Sequence, residues 1–192
     1  MANPGGNKKD RRGGKIYSIA DLIPIRRALK RRGKTVVFTN GCFDLLHAGH
    51  IRLFREARRL GDVLIVALNG DRSVQKIKGP ARPVFPLEER WEILEAIEDI
   101  DYLTSFSEET PRKIIAALVP DVLVKGGDWR PNQVIGREEV EAAGGKVVIV
   151  PYLEGSSTSS ILGKIRRLEP GQGNKSSGGS RISGKAHLRR MA

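Results

Sequence analysis

Cysteine occurs once in these 192 residues, at Cys42, and histidine only three times. A single thiol excludes an intramolecular disulfide, and no Cys/His set has the spacing of a zinc site. A reducing compartment is therefore the simpler expectation. Long hydrophobic runs are also missing. The longest, such as DVLIVALNG and KVVIVPYL, fall far short of the roughly 20 apolar residues that span a bilayer. The opening stretch MANPGGNKKDRRGGK carries no signal-peptide core. Without a route to secretion, the acceptor-like triplet Asn174-Lys175-Ser176 has no meaning as a glycosylation site. These absences predict a cytoplasmic protein with no membrane partner. The common phosphate loops are absent too, with neither GxxxxGK[ST] nor a GxGxxG that follows a strand.

Acidic residues are scarce only at the ends. The net charge is +12, yet residues 1–34 contribute +9 and residues 170–192 contribute +5, leaving −2 for residues 35–169. A fold built to track phosphodiesters carries its basic stripe on the folded surface, with aromatic platforms where it holds single strands. The two flanks hold one aromatic residue, Tyr17. Their Gly, Ser, Lys and Arg content suits solvated tails better than a dedicated nucleic-acid arm. We therefore expect a basic tail over residues 1–15, one domain over 16–169 and a second basic tail over 170–192. A domain of that size buries a core without staples.

Within the domain, short runs rich in Val and Ile alternate with segments of helical periodicity. Strands are predicted over 35–40, 62–68, 101–106, 121–125 and 146–151. Helices are predicted over 18–32, 48–60, 87–99, 111–118, 137–143 and 158–168. Strands apolar on both faces and separated by crossover helices imply an α/β fold, a doubly wound five-stranded parallel sheet with helices on both faces. Ligands of such sheets bind beyond the carboxyl ends of the strands. The loops NGCFDLLHAGH, KGGDW and YLEGSSTSS follow the first, fourth and fifth strands, so they should converge on one rim.

Two of the three histidines, His47 and His50, lie in the first of these loops. A histidine near a helix start often serves only as a cap or a satisfied core residue. Here the i, i+3 spacing points both rings the same way at the first helical turn. Gly49 between them lets a ligand approach the backbone. Free amides, the positive end of the helix dipole and two imidazoles together suit a polyphosphate.

GCFDLLHAGH resembles the HxGH signature of the nucleotidylyltransferase superfamily, in its cytidylyltransferase-like branch. The similarity continues through VALNGDRSVQKIKGPARPVFPLEERWEIL, DVLVKGGDW and EGSSTSSIL, across residues 35–168. Within that branch the blocks are most similar to bacterial D-glycero-β-D-manno-heptose 1-phosphate adenylyltransferases. The resemblance implies a Rossmann-like fold, ATP and a sugar 1-phosphate as substrates, Mg²⁺ as cofactor and pyrophosphate as a product. By position it implies that His47 and His50 bind the nucleotide phosphates and stabilise charge on the attacked phosphoryl and the leaving pyrophosphate. Catalysis of this type is positioning plus electrostatics. Lys78 and Arg90 would support it, Lys78 and Lys76 lying in the loop after the second strand. Lys76 would serve the acceptor, and Asp44 would order the site or reach the acceptor, a plain turn-capping aspartate being the competing reading.

The nucleotide would lie against Asn40, Gly41, Cys42, Phe43 and Gly49, against Gly126, Gly127 and Asp128, and against Ser157, Thr158 and Ser159. The last three could also simply cap the final helix. Tyr152 stands where glycerol-phosphate cytidylyltransferases, which share much of the pattern, carry an arginine. That departure favours ATP over CTP. The resemblance further implies a separate heptose-7-phosphate kinase upstream and leaves room for a homodimer. Two alternatives stay open: a cytidylyltransferase acting on a glycerol- or alditol-phosphate, and, more remotely, a non-enzymatic nucleic-acid-binding protein working through its basic ends.

Overall fold

The fold is a five-stranded, all-parallel sheet in the order β3-β2-β1-β4-β5, seen in a computed structural model that describes residues 14–127, 129–151 and 158–168. The strands are β1 (Val36–Gly41), β2 (Val63–Asn69), β3 (Tyr102–Phe106), β4 (Val122–Gly126) and β5 (Lys146–Val150). The helices are α1 (Ile19–Arg31), α2 (Ala48–Arg59), α3 (Asp71–Lys78), α4 (Leu87–Glu95), α5 (Arg112–Leu118), α6 (Arg137–Ala142) and α7 (Thr158–Leu168).

Apolar residues on both faces of each inner strand build two cores. Val37, Leu64, Val66 and Val124 point to one side, against Phe54 and Ala57 of α2 and Leu94 of α4. Their neighbours Val36, Phe38, Ile65 and Leu123 point to the other, against Leu22 of α1 and Ile114, Ile115 and Leu118 of α5. This two-sided burial makes the strands read as continuous apolar runs.

The amino-terminal edge of the sheet is stitched by carboxylates. Asp121 accepts from the Val36 N–H at 2.8 Å and pairs with buried Arg26 of α1 at 2.8 Å. Asp62 accepts from Thr35 N–H at 2.8 Å, and Asp101 from Leu64 N–H at 2.9 Å. Each aspartate sits just before a strand, so the DV and DY dipeptides mark the closed end of the sheet. The opposite edge is left for loops. The chain winds outward through β1, β2 and β3, then returns to place β4 on the other side of β1. The crevice of such a sheet opens at that reversal, between the ends of β1 and β4.

The structure departs from the expected elements in three places. The segment after β2, expected as a loop, is the eight-residue helix α3. Only Ser73 and Val74 of α3 are buried, so its sequence offers no apolar stripe to read. The helix expected over 87–99 ends at Glu95, and turns through Ile97 and Ile100 lead into β3. Lys15, grouped with the tail, belongs to the fold. Its carbonyl accepts from Leu103 N–H at 2.7 Å, its N–H bonds Glu95 at 2.7 Å, and neighbouring Ile16 bridges Leu103. Residues 1–13 of that tail, Glu169 at the end of the expected domain, and the second tail, 170–192, lie outside the described residues.

Candidate active site

A cleft of roughly 350 Å³ lies at the β1–β4 reversal, and most of the residues singled out by sequence line it. Its floor is the end of β1, Asn40 and Gly41, followed by Cys42 and Phe43. Phe43 takes a positive φ of 43°, which turns the chain sharply out of the strand. Its ring folds back over Gly41, where a Cβ would come within 3.1 Å of it. The same ring stands edge-on to His50 at 5.3 Å and packs against Phe54 at 5.1 Å. Phe43 is 4% exposed, so it acts as a pillar under the histidine more than as a surface for ligand.

His47 caps α2 with extended backbone, and its carbonyl accepts from His50 N–H at 2.9 Å. The two rings stack with centroids 3.8 Å apart and planes 26° from parallel. Burial pushes the His50 pKa down to about 4, with His47 adding a smaller repulsion, and burial also lowers His47. Both rings are therefore neutral hydrogen-bonding groups at pH 7 in the free protein. Their Nδ1 atoms are buried with no protein partner. Helix geometry leaves the first amides of α2 without intrahelical acceptors beside them. Gly49 lines the cleft between the rings. An oxyanion is the group that would use all of these donors at once.

Basic residues enter from α3 and the loop that follows. Lys78, the last residue of α3, lines the cleft, whereas Lys76 is turned outward and pairs with Glu109 at 2.9 Å. Two residues apart on a helix, about 200° of rotation separates them. Lys76 therefore stands outside the described cleft lining, apart from Lys78. Arg82 lines the cleft as well and pairs with Asp44. Asp44, whose side chain is 1% exposed, also accepts from Val84 N–H at 2.8 Å and Phe85 N–H at 3.0 Å. Its carboxylate is engaged in tying the 82–85 loop to the histidine loop, and this geometry favours ordering the site over touching an acceptor.

Arg90 is buried to 1% exposure outside the cleft lining. It donates to Cys42 O at 2.6 Å, Asn69 O at 2.9 Å, Phe85 O at 3.1 Å and Asp71 at 2.7 Å. The guanidinium expected to meet phosphate instead clamps the exits of β1 and β2 to α3 and α4. Asp71 completes the clamp by accepting from Leu87 N–H at 3.3 Å. The Cys42 thiol is pushed up by burial, so it stays protonated at neutral pH.

On the β4 side, Gly126 lies against Leu53, 3.3 Å from where a Cβ would stand. Gly127 takes φ 125° and donates to Val150 O at 2.9 Å, a turn that L residues rarely adopt. Thr158 begins α7, lines the cleft, and its hydroxyl donates to Leu45 O at 3.5 Å. Ser159 lies in the first turn of α7. Asp128, Tyr152 and Ser157 lie outside the described residues.

Lys125 and Trp129 line the cleft without having been singled out. The signal was available, since both flank the glycines of KGGDW. Among the described residues no three His, Cys, Asp or Glu side chains form a metal cage.

Residues 38–162 match the cytidylyltransferase-like family profile. The chain belongs to the cytidylyltransferase-like family. The matched span runs from β1 into α7 and contains the whole described cleft lining. Among curated relatives, this family member is 51% identical over 152 residues to the bifunctional protein HldE of Klebsiella pneumoniae, covering 79% of the chain and 32% of that protein. It is 49% identical over 148 residues to HldE of Syntrophotalea carbinolica, covering 77% and 30%. The chain thus spans about a third of the length of these relatives. Among solved structures, a lipopolysaccharide core biosynthesis protein from Thermoplasma volcanium superposes with TM-score 0.52 at 27% identity, covering 63% of this chain and 98% of that one. A pantoate-beta-alanine ligase from Francisella tularensis shares the fold, with TM-score 0.56 at 18% identity, covering 79% and 73%. Among the described residues, no helix is long and apolar enough to cross a membrane.

Proposed function

We propose that this cytidylyltransferase-like protein is a cytoplasmic adenylyltransferase that joins ATP to D-glycero-β-D-manno-heptose 1-phosphate, giving ADP-heptose and pyrophosphate. The observation that carries the reading is the stacked His47–His50 pair at the start of α2, facing the β1–β4 cleft with both Nδ1 atoms buried and unpartnered. The identity of roughly half of the aligned residues to HldE proteins, together with the four motif blocks, supports a heptose acceptor.

In this reaction a phosphate oxygen of the sugar attacks the α-phosphorus of ATP. A new P–O bond forms as the bond from that phosphorus to the bridging oxygen breaks, and the electron pair leaves with pyrophosphate. The histidines and the first amides of α2 hydrogen-bond the oxygens on which charge accumulates, and Lys78 adds positive charge from α3. Asp44 and Arg90 hold the loops so that these donors are in place before substrate arrives. Mg²⁺, when bound, would supply neutralisation of phosphate charge. A sugar 1-phosphate acceptor in turn requires a preceding phosphorylation, the role of a heptose-7-phosphate kinase activity.

Pyrophosphate release measured with ATP and CTP against a panel of sugar and alditol phosphates tests the proposal. ATP is expected to exceed CTP in kcat/KM by about tenfold or more, or ~1.4 kcal/mol of discrimination. Equal use of CTP, or preference for glycerol phosphate, would replace it with the cytidylyltransferase reading.

A further inference from the structure

Lys125 occupies the carboxyl end of β4, beside β1 at the point where the strand order reverses. Its Nζ donates to Asn40 Oδ1 at 3.0 Å and lies 3.4 Å from the Asn40 carbonyl oxygen. Asn40 is itself neutral and 8% exposed. Among the described residues Lys125 has no carboxylate partner, since Asp44, the acid in the cleft wall, is engaged by Arg82. An ammonium group has three donors, and one neutral side chain does not satisfy them.

A cation withdrawn from water is costly unless something supplies an anion, and no described residue does so for Lys125. Burial pushes its pKa down to about 8, the direction expected for an uncompensated lysine. A neutral donor would serve the Asn40 oxygens as well as an ammonium does, so holding β1 in place does not by itself account for a charge here. The side chain lines the cleft that the histidines face. The other charged and titratable groups lining that cleft are Cys42, His47, His50, Lys78 and the Arg82–Asp44 pair.

We propose that Lys125 is an anion-pairing residue of the cleft, its Nζ donating to a phosphoryl oxygen of a bound substrate at the β1–β4 reversal. The inference rests on the reading of the cleft as a phosphate site and adds a residue to it. Pairing with phosphate restores the lysine's proton affinity, so binding above pH 8 must draw a proton from solvent. The histidines, both lowered by burial and His50 to about 4, contribute little uptake in that alkaline window, and the Cys42 thiol, pushed up, is already protonated there.

Calorimetric titration of the full chain at pH 8.5, in two buffers of different ionisation enthalpy, measures that proton directly. ATP, pyrophosphate and D-mannose 1-phosphate serve as probes, for the wild type, Lys125→Met and Lys125→Arg. The wild type should take up a substantial fraction of a proton. Lys125→Met should bind about tenfold or more weakly without that uptake, and Lys125→Arg should recover most of the affinity, also without uptake. Uptake with ATP or pyrophosphate assigns the contact to the nucleotide phosphates; uptake with the sugar phosphate alone assigns it to the acceptor. Thermal unfolding of Lys125→Met should be unchanged or raised, because the variant loses a desolvated charge.

Unchanged affinity and proton uptake in Lys125→Met would overturn the inference while leaving the adenylyltransferase reading intact. So would a melting temperature lowered equally in both variants, which would make Lys125 a strut for Asn40. A wild type that binds none of the three probes would overturn both.

Discussion

His50 stays neutral at pH 7 because its ring is buried against Phe43 and stacked on His47. A neutral imidazole still donates a hydrogen bond to phosphate, and removing one preorganised donor of this kind typically costs about 100-fold in turnover. His50→Ala should lose at least that much in steady-state assays while remaining folded. The same burial has a cost in acid. With a folded-state pKa of about 4 against an ordinary value of 6.5, the unfolded chain binds the proton first, so stability falls as pH drops through that interval. Denaturant unfolding should show wild-type stability falling between pH 6.5 and pH 4 by more than that of His50→Ala. Equal slopes would mean that the ring is solvated. At this scale the sequence was partly legible: the histidine spacing pointed to a shared face, and the rings do share one. Arg90 reads as a substrate contact, and Asp44 as an acid that orders the site or reaches the acceptor, because motif position says nothing about what a side chain already holds. Their partners lie up to 48 residues away in the chain, at Phe85 and Cys42, and only the folded loops bring them together.

Among the elements, the strands and most helices followed from apolar period, because two-sided burial and amphipathic stripes leave strong patterns. The exception, α3, is short, largely exposed and basic, and its mostly polar sequence looks like a loop. That single misreading decides the roles of two lysines. Helical geometry directs Lys78 into the cleft and Lys76 to an exposed, solvent-screened pair with Glu109. Lys78→Ala should therefore lower kcat/KM by about tenfold or more, whereas Lys76→Ala should leave it within about twofold. Parallel kinetics on the two variants checks this, and comparable losses would contradict the helical assignment of their side chains.

At the scale of the whole molecule, the sheet has one closed edge and one working edge. Asp62, Asp101 and Asp121 bind backbone N–H groups at the amino-terminal side, and the opposite side carries the glycines, histidines and lysines of the cleft. The strand order β3-β2-β1-β4-β5 puts KGGDW beside NGCFDLLHAGH, although 82 residues separate Lys125 from Phe43. Convergence of these loops was legible from the alternation of strands and helices alone. The density of cations facing the cleft was not, because lysines are common in this chain and their sequence spacing does not tell a cleft wall from an open surface. The charge of +12 remains concentrated in the flanks, and the site depends on the few bases that the sheet gathers.

The account's central claim is that this cleft transfers a nucleotidyl group, which the fate of each phosphorus reports most directly. With ATP labelled separately at the α- and γ-phosphorus and heptose 1-phosphate as acceptor, the α label should appear in the sugar nucleotide and the γ label in pyrophosphate. Transfer of the γ label to the sugar with release of ADP, or an α label recovered only as free AMP, would contradict it.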